Sequence, residues 1–209
     1  MATDSARRSE GVASEDRRSR RSRRLLRQAF IELVLERGYA TVTVEDITER
    51  ADLGRATFYS HYSDKDTLLE QIVTELIGDM QQRLDPIFDA ADKGFTGKAM
   101  LEMFRHAEQE RDAYRVVLRG EGDGRALRRF TADRTAATLA YFTAREARLG
   151  VRMRIEPQIL AHTWVGEMVS TMTWWLESGS TLTPDQITEE LLNLSLRGRY
   201  WAAGLSDDN

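Results

Sequence analysis

The sequence predicts an all-α fold of about nine helices. Three observations predict it. Apolar residues recur at helical spacing along most of the 209 positions. Proline occurs only 3 times, so little interrupts a helix. No two runs of alternating apolar and polar residues flank a turn, as a strand pair would require.

Residues 1–20 carry many charges and one weakly apolar residue, Val12. They cannot bury enough surface to offset the entropy of ordering, so a disordered basic arm is expected. Arg17, Arg18, Arg20, Arg21, Arg23 and Arg24 crowd its end. Two readings of that cluster stand: a solvated charged tail, or an arm that lies on phosphates or reaches a minor groove. A first helix is expected from about Ser22 to Arg37. Leu26, Ala29, Phe30, Leu33 and Val34 make its buried stripe, and Gly38 ends it.

Thr43 is placed to cap a second helix, with Asp46 three residues on in a variant of the capping box. Val44, Ile47 and Ala51 share one face. Asp52 tolerates a left-handed turn, and Gly54 is an acceptable N-cap for a short helix from Arg55 to His61. Helix, tight turn, helix is the plan of a helix-turn-helix, whose second helix can enter the DNA major groove. Phe58 should point to the core, near Ala51 and Leu53. Arg55, Ala56, Thr57 and Ser60 fall on the exposed side. Arginine can pair with guanine, and threonine or alanine can touch a thymine methyl. Thr43, Tyr59, His61 and Lys65 can hydrogen-bond phosphates. On spacing alone any amphipathic helical hairpin fits the same pattern, and both readings stand.

Ser63 and Asp66 are expected to cap a long fourth helix carrying Leu68, Leu69, Ile72, Val73, Leu76, Met80 and Leu84. Pro86 should kink or end it. Residues 92–97 read as a loop. Helices follow from Lys98 to Gln109 and onward to Arg119. Gly120-Glu121-Gly122-Asp123-Gly124 lacks a preceding strand and a following Gly-Lys-Ser/Thr, so it reads as a helix connection rather than a phosphate loop. Further helices are expected over 125–149, closed by Gly150, and over 157–177, opened by Pro157. Thr183, Pro184 and Gln186 form a full helix-start signal for a last helix running to about Ala203.

The stretch Gly38-Tyr39, Thr41-Val42, Ile47, Ala51-Asp52-Leu53-Gly54-Arg55-Ala56-Thr57-Phe58-Tyr59-Ser60-His61-Tyr62, Lys65 and Leu68-Leu69 resembles the N-terminal domain of TetR/AcrR-type bacterial transcriptional regulators. Asp52 stands where that family mostly has glycine, and Gly54 where it mostly has serine. The resemblance implies three parts: the arm (1–20), a three-helix helix-turn-helix DNA-binding domain (21–69), and a helical effector-binding and dimerisation domain (70–209).

The resemblance also implies an effector cavity in the second domain. Phe104, Tyr114, Tyr141, Trp164, Met168 and Met172 are its candidate liners, though each would also suit an ordinary core. His106, His162 and Glu167 are polar residues on apolar faces, satisfied by a ligand, a neighbour or water. In the family the last two helices usually pair with their copies. Gly166, Trp175, Ile187, Leu191, Leu194 and Gly198 are the corresponding candidates here, with internal packing as the alternative.

The chain has no cysteine, which excludes disulfides, thiolate metal sites and cysteine nucleophiles. No catalytic motif joins His61, His106 and His162, so neither an enzyme, a metal nor a cofactor is expected. The net charge of -4 is uneven. Residues 1–69 hold 13 Lys+Arg against 12 Asp+Glu, so the acidic excess lies beyond them and a local basic face remains possible. No secretory signal or membrane span is expected, which suits a cytoplasmic protein that sits on the nucleoid when bound to DNA. The expectation is a homodimeric, sequence-specific transcriptional regulator. It would be a repressor released from a palindromic double-stranded operator by a small hydrophobic effector. The alternatives are a ligand-independent regulator or activator, or a DNA-scaffolded protein-interaction factor such as a nucleoid-associated division inhibitor.

Overall fold

The computed structural model describes residues 2–89 and 97–203. Helices α1 (Ala2–Arg37), α2 (Val44–Arg50) and α3 (Arg55–Tyr59) precede α4 (Lys65–Asp89). Then come α5 (Lys98–Gln109), α6 (Arg111–Leu118), α7 (Arg125–Leu149), α8 (Pro157–Glu177), α9 (Pro184–Arg197) and the short α10 (Arg199–Ala202). There is no strand among the described residues. The expected loop at 92–97 lies outside them except for Gly97, and so does the tail beyond Ala203.

The first three helices wrap one small core. Leu26, Phe30 and Val34 of α1 are buried with Ile47 of α2, Phe58 of α3 and Leu68 and Leu69 of α4. Fully burying a side chain such as Phe58 contributes on the order of 1.5–3 kcal/mol. The same buried cluster continues through α4 to Phe104, Tyr114, Trp175 and Leu191, so the two parts of the chain share one core.

Four expectations are corrected. The arm over residues 2–20 is helical and continues into α1. Arginine, alanine and glutamate extend a helix already nucleated by its packed end, without a new nucleation cost. From Asp16 to Arg24 nothing is buried, as the composition required. Second, α4 runs through Pro86 to Asp89. Pro86 is exposed and only three residues from the helix end, so a single backbone bond is lost there. Third, the α4 cap is Asp64, whose Oδ1 accepts from the Thr67 N–H at 2.7 Å, while Ser63 only supports it. Fourth, Gly198 stops α9 at Arg197 by adopting φ 87°, ψ 168°, and α10 restarts after it.

Candidate functional site

The turn between α2 and α3 forms for reasons legible in its residues. The Thr43 Oγ1 accepts from the Asp46 N–H at 3.2 Å, and the Asp46 carboxylate accepts from the Thr43 N–H at 2.8 Å. The Thr43 hydroxyl, the Thr43 N–H and the Arg37 guanidinium, all donating to the carboxylate, hold the Asp46 carboxyl down to about 2. Asp52 takes φ 53° and reverses the chain. Gly54 then caps α3 with extended backbone and no side-chain bond. Phe58 is fully buried, and Ala51 and Leu53 pack beside it.

With Phe58 inward, the opposite face of α3 is open. Arg55, Ala56, Tyr59 and Ser60 are exposed, Thr57 and His61 half-buried. Arg55 pairs with Glu45 of α2 on the surface. Tyr59 packs its ring edge against Phe58 and leaves its hydroxyl outside. Arg23 of α1 lies near enough to His61 to help lower its pKa, after burial. α1 thus brings a cation beside this face that the spacing of α2 and α3 could not show.

Three candidate phosphate or base contacts are engaged elsewhere. The Lys65 Nζ donates to the carbonyls of Tyr39 and Val42, both at 2.8 Å, and lies 4.3 Å from the Tyr39 ring centroid. Lys65 therefore closes the 3-10 turn Tyr39–Thr41 through these bonds. The Thr43 hydroxyl donates to Asp46 Oδ2 at 2.6 Å, which consumes its one donor. The Ser60 hydroxyl donates to the Thr57 carbonyl at 2.7 Å.

The second site is a cavity of about 330 Å³. The far end of α4 (Met80, Leu84, Ile87, Phe88), α5, α7 and α8 enclose it. Of the candidate liners, Tyr114, Tyr141, Trp164, Met168 and Met172 border it. Phe104 does not. It is fully buried with its ring edge-on to Trp175, centroids 5.6 Å apart. Met103 lines the cavity from the adjacent position of α5, and one residue along a helix turns the side chain by about 100°. His106 is satisfied internally, its Nδ1 2.9 Å from the Tyr114 hydroxyl. His162 is exposed, and Glu167 faces Arg199 at 3.6 Å. The polar residue that composition did not single out is Arg134, buried in the cavity wall. Its signal was present: it falls four residues after Phe130 and four before Thr138, on one stripe of α7.

The expected dimer residues divide. Trp175, Ile187 and Leu191 are buried within the chain, and the Trp175 indole N–H donates to the Leu182 carbonyl at 2.8 Å. They belong to the internal core, because α8 and α9 turn these residues towards α5 and α6. Leu194 is half-buried, while Gly166 and Gly198 are exposed. The outer face of α8 carries Ile159 (57% exposed), Gly166 and Trp174 (52% exposed), interleaved with the exposed His162, Thr163 and Ser170.

The two sites are mechanically joined. The Tyr39 N–H donates to Glu121 Oε2 at 3.1 Å, across from the loop between α6 and α7. Gly122 of that loop takes φ +65°, and a Cβ there would lie 3.1 Å from Leu69 and 3.2 Å from the Tyr39 ring. Arg27 of α1 bridges Glu75 at 3.2 Å and Glu110 at 2.6 Å. Arg129 of α7 donates to the Glu70 carbonyl and the Thr74 hydroxyl of α4.

Comparison with known proteins agrees with this architecture. A family model for bacterial regulatory proteins of the tetR family matches residues 26–72. An uncharacterized HTH-type transcriptional regulator, YxbF of Bacillus subtilis, is 42% identical over 59 residues, 28% of this chain and 16% of its own length. The HTH-type transcriptional repressor DhaR of a Mycobacterium species is 31% identical over 70 residues, 32% of this chain and 35% of its own length. The matches thus span well under half of these curated relatives. Solved structures share the fold across nearly the whole chain. A TetR-family regulator from Syntrophomonas wolfei superposes with TM-score 0.72 at 17% identity, covering 90% of this chain and 98% of its own. FadR of Bacillus subtilis in complex with stearoyl-CoA gives TM-score 0.69 at 16% identity, covering 84% and 98%. Residues 26–72 thus match the helix-turn-helix part of the tetR family, and the chain as a whole shares its fold with solved TetR-family structures.

Proposed function

We propose that this regulator is a homodimeric repressor that grips a palindromic operator through α3 and lets go when a small apolar molecule fills the cavity. The observation that carries the reading is α4. One helix of 25 residues starts under the helix-turn-helix and ends in the cavity wall, so occupancy at one end can tilt the other. At about 1.5 Å per residue it spans roughly 37 Å. The Glu121–Tyr39 bond and the Gly122 contact give a second connection. Release requires only that the ligand binds better to a state with the wrong spacing of the two recognition helices.

Arg55 is the proposed base reader, at the start of α3 where side chains meet base edges. Ala56 and Thr57 would offer apolar contact to thymine methyls, and Tyr59, His61 and Arg23 would meet phosphates. The outer face of α8 would form the dimer seam: Gly166 meets nothing within 4 Å of a Cβ, so a partner helix can approach closely there. A twofold pair matches two half-sites of a palindrome. The cavity favours ligand release over a ligand-independent regulator. The test is selection of duplexes from a random pool, followed by titration of the selected duplex complex with apolar compounds. An inverted repeat should be enriched, and at least one cavity-sized compound should release it. Enrichment of no duplex would end the repressor reading.

A further inference from the structure

We propose that the cavity takes a compact amphiphile with a terminal carboxylate, whose charge docks on Arg134. This rests on the effector reading above and adds the chemical class of the ligand. The cavity of about 330 Å³ sits near the lower end of the usual range for ligand pockets, so the molecule is small. Its walls are mostly apolar: Met80, Leu84, Met103, Phe142, Trp164 and Met168 supply them. An arginine in such a wall is costly unless its charge is met.

Arg134 is met only in part. Its side chain is 10% exposed. The Nε and Nη2 donate to Asp133 Oδ2, at 3.1 and 2.5 Å. A guanidinium has five N–H donors, and among the described residues no acceptor meets Nη1. Asp133 is its neighbour in sequence and is 42% exposed, so it holds the guanidinium by one edge from the solvent side. Phe130, Arg134, Thr138 and Tyr141 line the cavity together from one stripe of α7, which sets Arg134 against the cavity. Lys98 on the same cavity's lining is exposed and adds a second cation at its edge. A planar carboxylate fits a guanidinium edge. A dianionic phosphate on Arg134 would bring a second charge into the apolar wall, with Lys98 only at the exposed edge to meet it. An amine would face a like charge.

Binding to the full-length protein can be measured by calorimetry with octanoate and decanoate, their matched 1-alcohols and the matched amines. The proposal expects the carboxylates to bind roughly ten- to a hundredfold tighter than the alcohols, and the amines to bind least. In Arg134→Met that preference should vanish while alcohol binding stays within about threefold, which also certifies that the pocket is intact. Arg134→Lys should keep a part of the preference. Alcohols that match carboxylates in the wild type, or a preference that survives in Arg134→Met, would overturn the proposal while leaving an apolar effector site standing. Absence of binding by every one of these compounds would overturn both the carboxylate class and the effector reading at this cavity.

Discussion

At the scale of single residues, the same side-chain type does different work according to what lies beneath it. Lys65 shows this most clearly. Its ammonium bridges two carbonyls of the 3-10 turn, so its loss removes that donor from the Val42 carbonyl and leaves the Tyr39 carbonyl with the Val42 N–H at 3.3 Å. Lys65→Ala should lower stability by about 1–3 kcal/mol and leave the salt dependence of DNA binding unchanged. Urea unfolding and a binding series in salt would check this; unchanged stability with a flatter salt dependence would restore the phosphate contact. His106 makes a separate prediction. Burial holds its pKa below the ordinary 6.5, with Arg83 adding to the effect. The unfolded chain therefore takes up a proton as pH falls through about 6.5, while the folded chain stays neutral. Stability is full above that value, declines as pH falls, and levels off below the folded pKa. His61 is shifted the same way, so His106→Gln should shrink the decline without abolishing it. Urea midpoints between about pH 7.5 and 5 test the sign. A wild type that gains stability on acidification over that span would contradict it.

At the scale of elements, helix positions were legible where caps and punctuation were strong. Thr43 with Asp46 and Thr183 with Gln186 open α2 and α9 as full capping boxes. Which face of a helix turns inward was less legible. Trp174 and Trp175 are adjacent and both suit an apolar stripe, yet one is 52% exposed and the other buried. α8 places large apolar residues, Ile159 and Trp174, on its exposed side as well, so apolar residues alone could not assign its core. Phe104 failed as a cavity liner for a related reason: a fully packed aromatic and a lining one share the same spacing. Arg134 was readable as a charge within an apolar stripe, but its burial depends on α8 packing across α7. The contact between the α6–α7 loop and Tyr39 was not readable at all, since it joins residues 82 apart. Gly122→Ala tests that contact. The left-handed backbone and the 3.1 Å approach to Leu69 should together cost about 1–3 kcal/mol and displace Tyr39. Urea unfolding reports the cost, and an unaltered midpoint would show that the loop yields freely.

At the scale of the whole molecule, one continuous core among the described residues leaves exposed the outer face of α3 and the outer face of α8. The second predicts assembly. Trp174→Glu should give a folded monomer with weakened operator binding, whereas Trp175→Glu should fail to fold, because it buries a charge against Phe104. Sedimentation and circular dichroism separate the two; a Trp174→Glu protein that still sediments at twice the 23.9 kDa chain mass would move the seam elsewhere. The central claim, that α3 reads a specific duplex, is tested most directly by anisotropy. Wild type and Arg55→Ala would be titrated with the selected operator and with a scrambled duplex of equal length. Arg55→Ala should weaken the operator by about 1–3 kcal/mol and leave the scrambled duplex nearly unchanged. Equal losses on both duplexes would make Arg55 a phosphate contact and contradict base reading by this helix.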